Sequence, residues 1–176
     1  MNSLGCEVKK MALFLGISIN SLQKWIGKAQ YLEPNANLKS GGIYDVDEMQ
    51  TCVGNKSTKV WITYGWDIKN HIAVALHVGG RSSEDLRNVT SKVIKLFPSK
   101  VNTDNYPAYP NLLKEIVHVK GKRKANHIER QNANLRKDVA CLIRKTMCYA
   151  KKKDMLEARL KWCLWGATNP FFFLQR

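Results

Sequence analysis

Ile43-Tyr-Asp-Val-Asp47-Glu-Met-Gln-Thr-Cys-Val53 is the stretch on which the fold turns. Ile43, Asp45, Asp47 and Met49 alternate against Tyr44, Val46 and Glu48, the two-residue period of a strand. Two acids on one strand face usually mean an exposed polar face. A solvated face would not, however, set them beside Ile43 and Met49, so Asp47 becomes a candidate for chemistry. Downstream, Lys59–Trp66 and His71–Val78 are β-branched and aromatic, joined by the turn Asp67-Ile-Lys-Asn70, with Asn55-Lys-Ser57 as the turn before them. Ser82-Ser-Glu-Asp85 caps a helix running to about Leu96, with Leu86, Val89, Val93, Ile94 and Leu96 on its apolar side and Pro98 ending it. Val101–Thr103 is a short strand leading into Asp104, Tyr106–Glu115 starts a short helix, and Ile116–Val119 makes one more strand. Strands and helices in this order predict a layered α/β domain.

Beyond it lies Gly121-Lys-Arg-Lys-Ala-Asn-His-Ile-Glu129-Arg-Gln-Asn132-Ala-Asn-Leu-Arg136, an acid inside a very basic run. From Val117 to Lys153 there are twelve Lys or Arg and two acids, Glu129 and Asp138. A helix over Ile128–Ala150 would set Glu129, Asn132 and Arg136 on one face. A divalent metal on Glu129, with Asn132 and Arg136 holding nucleic-acid phosphates, explains that face. A solvated basic helix with an ordinary surface glutamate explains it too, and the helix alone favours that plainer reading. His118 and His127 read as hydrogen-bonding or DNA-contacting groups rather than metal ligands.

Towards the N-terminus, Val8, Met11, Ala12 and Leu15 repeat at helical spacing, Gly16 supplies a left-handed turn and Ser18 an N-cap. Leu22, Trp25 and Ile26 are expected to pack a second helix back on the first. This is a helix-turn-helix pattern over residues 1–32, with Asn20, Ser21, Gln23 and Lys24 as the DNA-facing set, although an ordinary helical hairpin fits as well. Residues 33–42, with Pro34 and Gly41-Gly42, read as a linker.

The net charge of +15 on 176 residues makes nucleic acid the expected partner, because each phosphate contact releases counterions. No 18-residue apolar stretch or signal-peptide core is present, so no membrane span is expected and the location reads as cytoplasmic and nucleoid-associated. Five cysteines, Cys6, Cys52, Cys141, Cys148 and Cys163, form no CxxC pair and read as free thiols.

The order of elements matches the ribonuclease-H-like arrangement: a mixed sheet flanked by helices, here with a small N-terminal helix-turn-helix. In that arrangement Asp47 lies on the central strand, Asp104 just past its neighbour, and Glu129 at the start of a helix crossing the same edge. Each acid alone has a plainer reading, Asp104 as a turn former in Asp104-Asn-Tyr-Pro107. Together they suit two Mg²⁺ ions, which Mn²⁺ can replace. Four segments carry a closer resemblance: Val46-Asp47-Glu48-Met49; Thr103-Asp104-x-Tyr106-x-Ala108-Tyr109; His118-Val119-x-Gly121-Lys122-Arg123; and Ile128-Glu129-Arg130-x-Asn132-x-x-Leu135-Arg136. With Arg144-Lys-Thr146-x-Cys148-Tyr149, they resemble the insertion-sequence-one transposases, DDE recombinases of bacteria.

The resemblance implies a ribonuclease-H-like DDE catalytic domain over 43–165 and an atypical tail over 166–176. Asp47, Asp104 and Glu129 would be its metal-binding and catalytic triad, and Lys122, Arg123, Lys124, Arg130, Asn132 and Arg136 its DNA contacts. The expected activity is Mg²⁺-dependent cleavage at an element's terminal inverted repeats and strand transfer into target DNA, by a homo-oligomer on double-stranded DNA. The alternatives are a catalytically dead copy that binds the ends and represses transposition, and a ribonuclease-H-like nuclease without strand transfer. The family's cysteine-rich zinc module is not matched: only Cys6 precedes the helical pair.

Overall fold

Turn chemistry sets the strands before packing does. Asn55 Oδ1 accepts the Ser57 and Thr58 backbone N–H groups at 3.0 and 2.8 Å, closing the first turn. Asp67 Oδ1 does the same for Lys69 and Asn70, both at 2.9 Å, after which His71 takes a left-handed φ of 54°. The computed structural model describes residues 8–34, 38, 40–121, 126–142 and 150–166. Its five strands are β1 (Ile43–Cys52), β2 (Lys59–Asp67), β3 (Ile72–Gly79), β4 (Lys100–Thr103) and β5 (His118–Lys120). They form one sheet in the order β3-β2-β1-β4-β5, with β2 and β3 antiparallel and β4 parallel to both β1 and β5. The sheet is therefore mixed, with β1 at its centre, as the sequence order implied.

Among the described residues six α-helices accompany it: α1 (Val8–Phe14), α2 (Ile19–Lys28), α3 (Ser83–Ile94), α4 (Tyr109–Leu112), α5 (Asn126–Asp138) and α6 (Lys153–Trp165). The chain divides into two compact units, one of Ala36–Gln50 and Val60–Asn132, the other of Met1–Asn35, Thr51–Lys59 and Ala133–Arg176.

In the first of these units, Tyr44 and Val46 of β1 and Val101 of β4 form a core with Leu86, Val89 and Val93 of α3. The helix starts at a capping box: the Ser82 side chain accepts from Asp85 N, and the Asp85 carboxylate accepts from Ser82 N. It lies so close to β2 that a Cβ on Gly65 would come within 2.7 Å of Val93 Cγ2, so only glycine fits there. The helix expected over Tyr106–Glu115 shrinks to the single turn Tyr109–Leu112.

In the second unit, Gly16 has φ +65° and the Ser18 side chain accepts from Ser21 N, so α1 and α2 meet at the turn those residues predict. Ala12, Leu22 and Ile26 are buried together, with Met155 of α6 packed against them. Trp25 does not join them: it is 44% exposed, because the buried stripe of α2 runs through Leu22, Ile26 and Ala29. Lys161 of α6 is itself buried and donates to the Gln30 carbonyl at 2.6 Å, with Glu157 at 3.3 Å.

The long basic helix expected over Ile128–Ala150 ends at Asp138. Val139, Cys141 and Leu142 are all buried, and the chain passes into a 3-10 turn over Ala140–Leu142. Ala150 then bridges to Val53. Cys52, Cys141 and Cys163 are free thiols, and Cys6 and Cys148 lie outside the described residues. No helix among the described residues is long and apolar enough to cross a membrane.

Candidate metal centre on β1 beside the end of β4

Strand register sets the first two carboxylates side by side. β1 and β4 pair in parallel with Val46 opposite Thr103, so Asp47, still within β1, and Asp104, just past the end of β4, follow that pair at the same level. Asp104 then turns the chain by accepting the Tyr106 N–H on Oδ1 at 2.9 Å. A third acid, Glu48, joins them: ligand oxygens of Asp47, Glu48 and Asp104 lie within 4.8 Å of one another.

By strand alternation Glu48 points to the face opposite Asp47, towards the core under α4. Its side chain is completely buried there, and both oxygens are occupied. Oε1 accepts from Arg81 Nε at 3.0 Å and Oε2 from the Tyr109 hydroxyl at 2.7 Å. The Arg81 guanidinium lies over the Trp61 and Tyr106 rings, 4.4 and 3.9 Å from their centroids, with Nη2 3.6 Å from Asp104 Oδ2.

Helix α5 reaches the other face. The Asn132 side chain is buried, donates to Asp47 Oδ2 at 2.8 Å and accepts the Tyr64 hydroxyl at 2.8 Å. Glu129, one turn earlier on the same helix, is exposed and is not among the three gathered acids. Arg130 is exposed and Arg136 half-buried, whereas Lys122, Arg123 and Lys124 lie outside the described residues. On α2, Asn20, Gln23 and Lys24 are exposed and Ser21 is half-buried, its N–H turned back to the Ser18 cap. His118 is hydrogen-bonded, its Nε2 2.7 Å from Thr103 Oγ1.

Burial pushes the Asp47 carboxyl up to about 6, and the charges of Glu48 and Asp104 push in the same direction. Glu48 is raised by burial as well, opposed by its bonds to Tyr109 and Arg81. Tyr109 rises well above the ordinary phenol range, first through burial and then through Glu48. Asp45 is fully buried, so its face of β1 is not a solvated one; it is bonded by Asn102 Nδ2 at 2.8 Å and raised by burial.

Three clustered carboxylates with one arginine leave two negative charges, and oxygen donors of this kind fit a hard divalent cation. Glu48, Arg81 and Tyr109 escaped the sequence reading as site residues. The signals were present: Glu48 adjoins Asp47, Tyr109 closes the Thr103–Tyr109 motif, and Arg81 sits between Gly80 and the capping Ser82.

Residues 43–162 match the sequence model described as IS1 transposase. The chain belongs to the IS1 transposase family. Among relatives of this transposase chain, the insertion element IS1 protein InsB of Shigella sonnei is 33% identical over 111 residues, 63% of this chain and 85% of that protein. The insertion element IS1 9 protein InsB of Escherichia coli (strain K12) is also 33% identical over 111 residues, which span 63% of this chain and 66% of that one. Among solved structures, the trimeric form of the HTLV-2 integrase catalytic core domain in complex with magnesium superposes with a TM-score of 0.50 at 20% identity, covering 73% of this chain and 85% of that one. The transposase domain therefore has the ribonuclease-H-like fold of that integrase core.

Proposed function

We propose that this transposase-family chain binds the terminal inverted repeats of an insertion sequence and catalyses divalent-metal-dependent strand cleavage and strand transfer. The observation that carries the reading is the juxtaposition of Asp47, in the middle of β1, with Asp104, just past the end of the adjoining parallel β4, with Asp47 drawn up to about 6. Asp47 and Asp104, completed by Glu129 from α5, would hold Mg²⁺ or Mn²⁺; the integrase core named above was solved with magnesium. When bound, such ions neutralise charge on a phosphodiester and activate oxygen nucleophiles. Asn132 fixes the Asp47 carboxylate through Oδ2, and Tyr64 fixes Asn132 in turn. Arg130 and Arg136, with Lys122, Arg123 and Lys124, would contact the DNA backbone, and Asn20, Ser21 and Lys24 of α2 the element ends. Cleavage adds water across the phosphodiester and frees a 3′-hydroxyl; transfer exchanges that hydroxyl for the 3′-oxygen of the target strand. A homo-oligomer would pair two ends.

Glu129→Gln is expected to leave folding and DNA binding intact and to abolish Mg²⁺-dependent cutting of end-containing DNA. Cutting that survives the substitution removes Glu129 from the site. One observation favours the repressor-only reading: Arg81 already stands 3.6 Å from Asp104. Cleavage of end-containing DNA by the wild type in Mg²⁺ or Mn²⁺ excludes that reading.

A further inference from the structure

Arg81 is held more tightly than a counter-charge requires. Its backbone sits in a turn closed by the Asp85 carboxylate, which accepts the Gly80 and Ser82 N–H groups at 3.0 and 3.1 Å. Its carbonyl accepts the Tyr106 hydroxyl at 3.0 Å. Its guanidinium lies over the Trp61 and Tyr106 rings, 4.4 and 3.9 Å from their centroids, and is anchored at Nε to the buried Glu48. Neutralising the acids needs none of this; a lysine tip would do. The approach of Nη2 to Asp104, 3.6 Å, is also too long for a hydrogen bond. Among the described residues the Nη groups therefore have no hydrogen-bond partner, although the side chain is only 30% exposed. The Nη donors stay open to solvent beside Asp104, positioned to receive an acceptor that approaches the site.

We propose that Arg81 is a phosphodiester-binding residue: the outer edge of its guanidinium takes a non-bridging phosphate oxygen of DNA lying at the Asp47–Asp104 centre. The inference rests on the transposase reading above and adds to it the group that grips the substrate phosphate. The planar fork matches two phosphate oxygens, and stacking fixes it before the substrate arrives, so little reorganisation remains at binding. Glu48 and Tyr109 are then positioning residues acting through Arg81.

The test follows equilibrium binding of a random-sequence DNA duplex by the full chain in Ca²⁺, across a salt series. One lost phosphate contact flattens the slope of log affinity against log salt by about 0.9. Arg81→Gln is expected to show that change. Because this variant strands the buried Glu48 carboxylate, Arg81→Gln combined with Glu48→Gln is measured beside it, and thermal melting identifies which of the two folds like the wild type. A slope unchanged from wild type in the folded variant overturns the assignment while leaving the transposase reading intact. A wild type that binds no duplex overturns both.

Discussion

The Asp47 carboxyl binds its proton more tightly in the folded chain than in the unfolded one, with a value of about 6 against an ordinary 3.8. A raised carboxylate makes folding less favourable as pH climbs between those values, since the unfolded state gives up its proton first. Metal-free protein therefore loses, from this group, on the order of 2 kcal/mol between about pH 4 and pH 6. Asp47→Asn keeps an acceptor for Asn132 and carries no charge. It is expected to melt at a higher temperature than the wild type at pH 7.5 without metal, and at the same temperature near pH 4. A constant difference across that range would mean the gain comes from packing. The partner residue behaves differently: Tyr64→Phe leaves the buried Asn132 oxygen without its donor, costing about 1–3 kcal/mol in chemical denaturation.

At the scale of elements, local chemistry explains what the sequence showed and what it concealed. The strands, the capping box of α3 and the Gly16–Ser18 turn were legible because each rests on residues within a few positions: alternation, a Ser–Asp pair, a glycine at positive φ. Ser82→Ala should accordingly cost about 1 kcal/mol, read from the midpoint of denaturant unfolding. Asp47 and Asp104 were legible through the order of elements. Glu48 was not, because its environment comes from Arg81 and Tyr109, 33 and 61 residues away, and nothing in strand periodicity announces a buried carboxylate on an apolar face. The end of α5 was hidden because Val139-Ala-Cys-Leu142 contains no glycine or proline to announce it. The Asn132 amide is bonded to Asp47 and Tyr64.

For the molecule as a whole, the +15 charge and the cluster of acids pull in opposite directions. The cations attract a polyanion along the chain, while the acids repel it locally until a divalent ion is present. Duplex affinity is therefore expected to fall by at least about a hundredfold between 50 and 200 mM salt, in a titration followed by fluorescence anisotropy. It should also rise on addition of Ca²⁺ at constant ionic strength. A salt-independent affinity would remove backbone neutralisation as the basis of binding.

The pairing of Val46 with Thr103 also governs which changes of length this chain survives. Extra residues in the Asp67–His71 hairpin lengthen an exposed turn and leave Asp47 and Asp104 where they were, whereas residues added between Ile94 and Lys100 would disturb the bonds that tie Leu96, Phe97 and Ser99 to Gly41 and Gly42. Deleting one residue inside β4 shifts the register of the residues that follow it in the strand, turning Asp104 to the other face. Copies damaged in that way would persist as inert relics, whereas copies with a swollen hairpin would keep their chemistry.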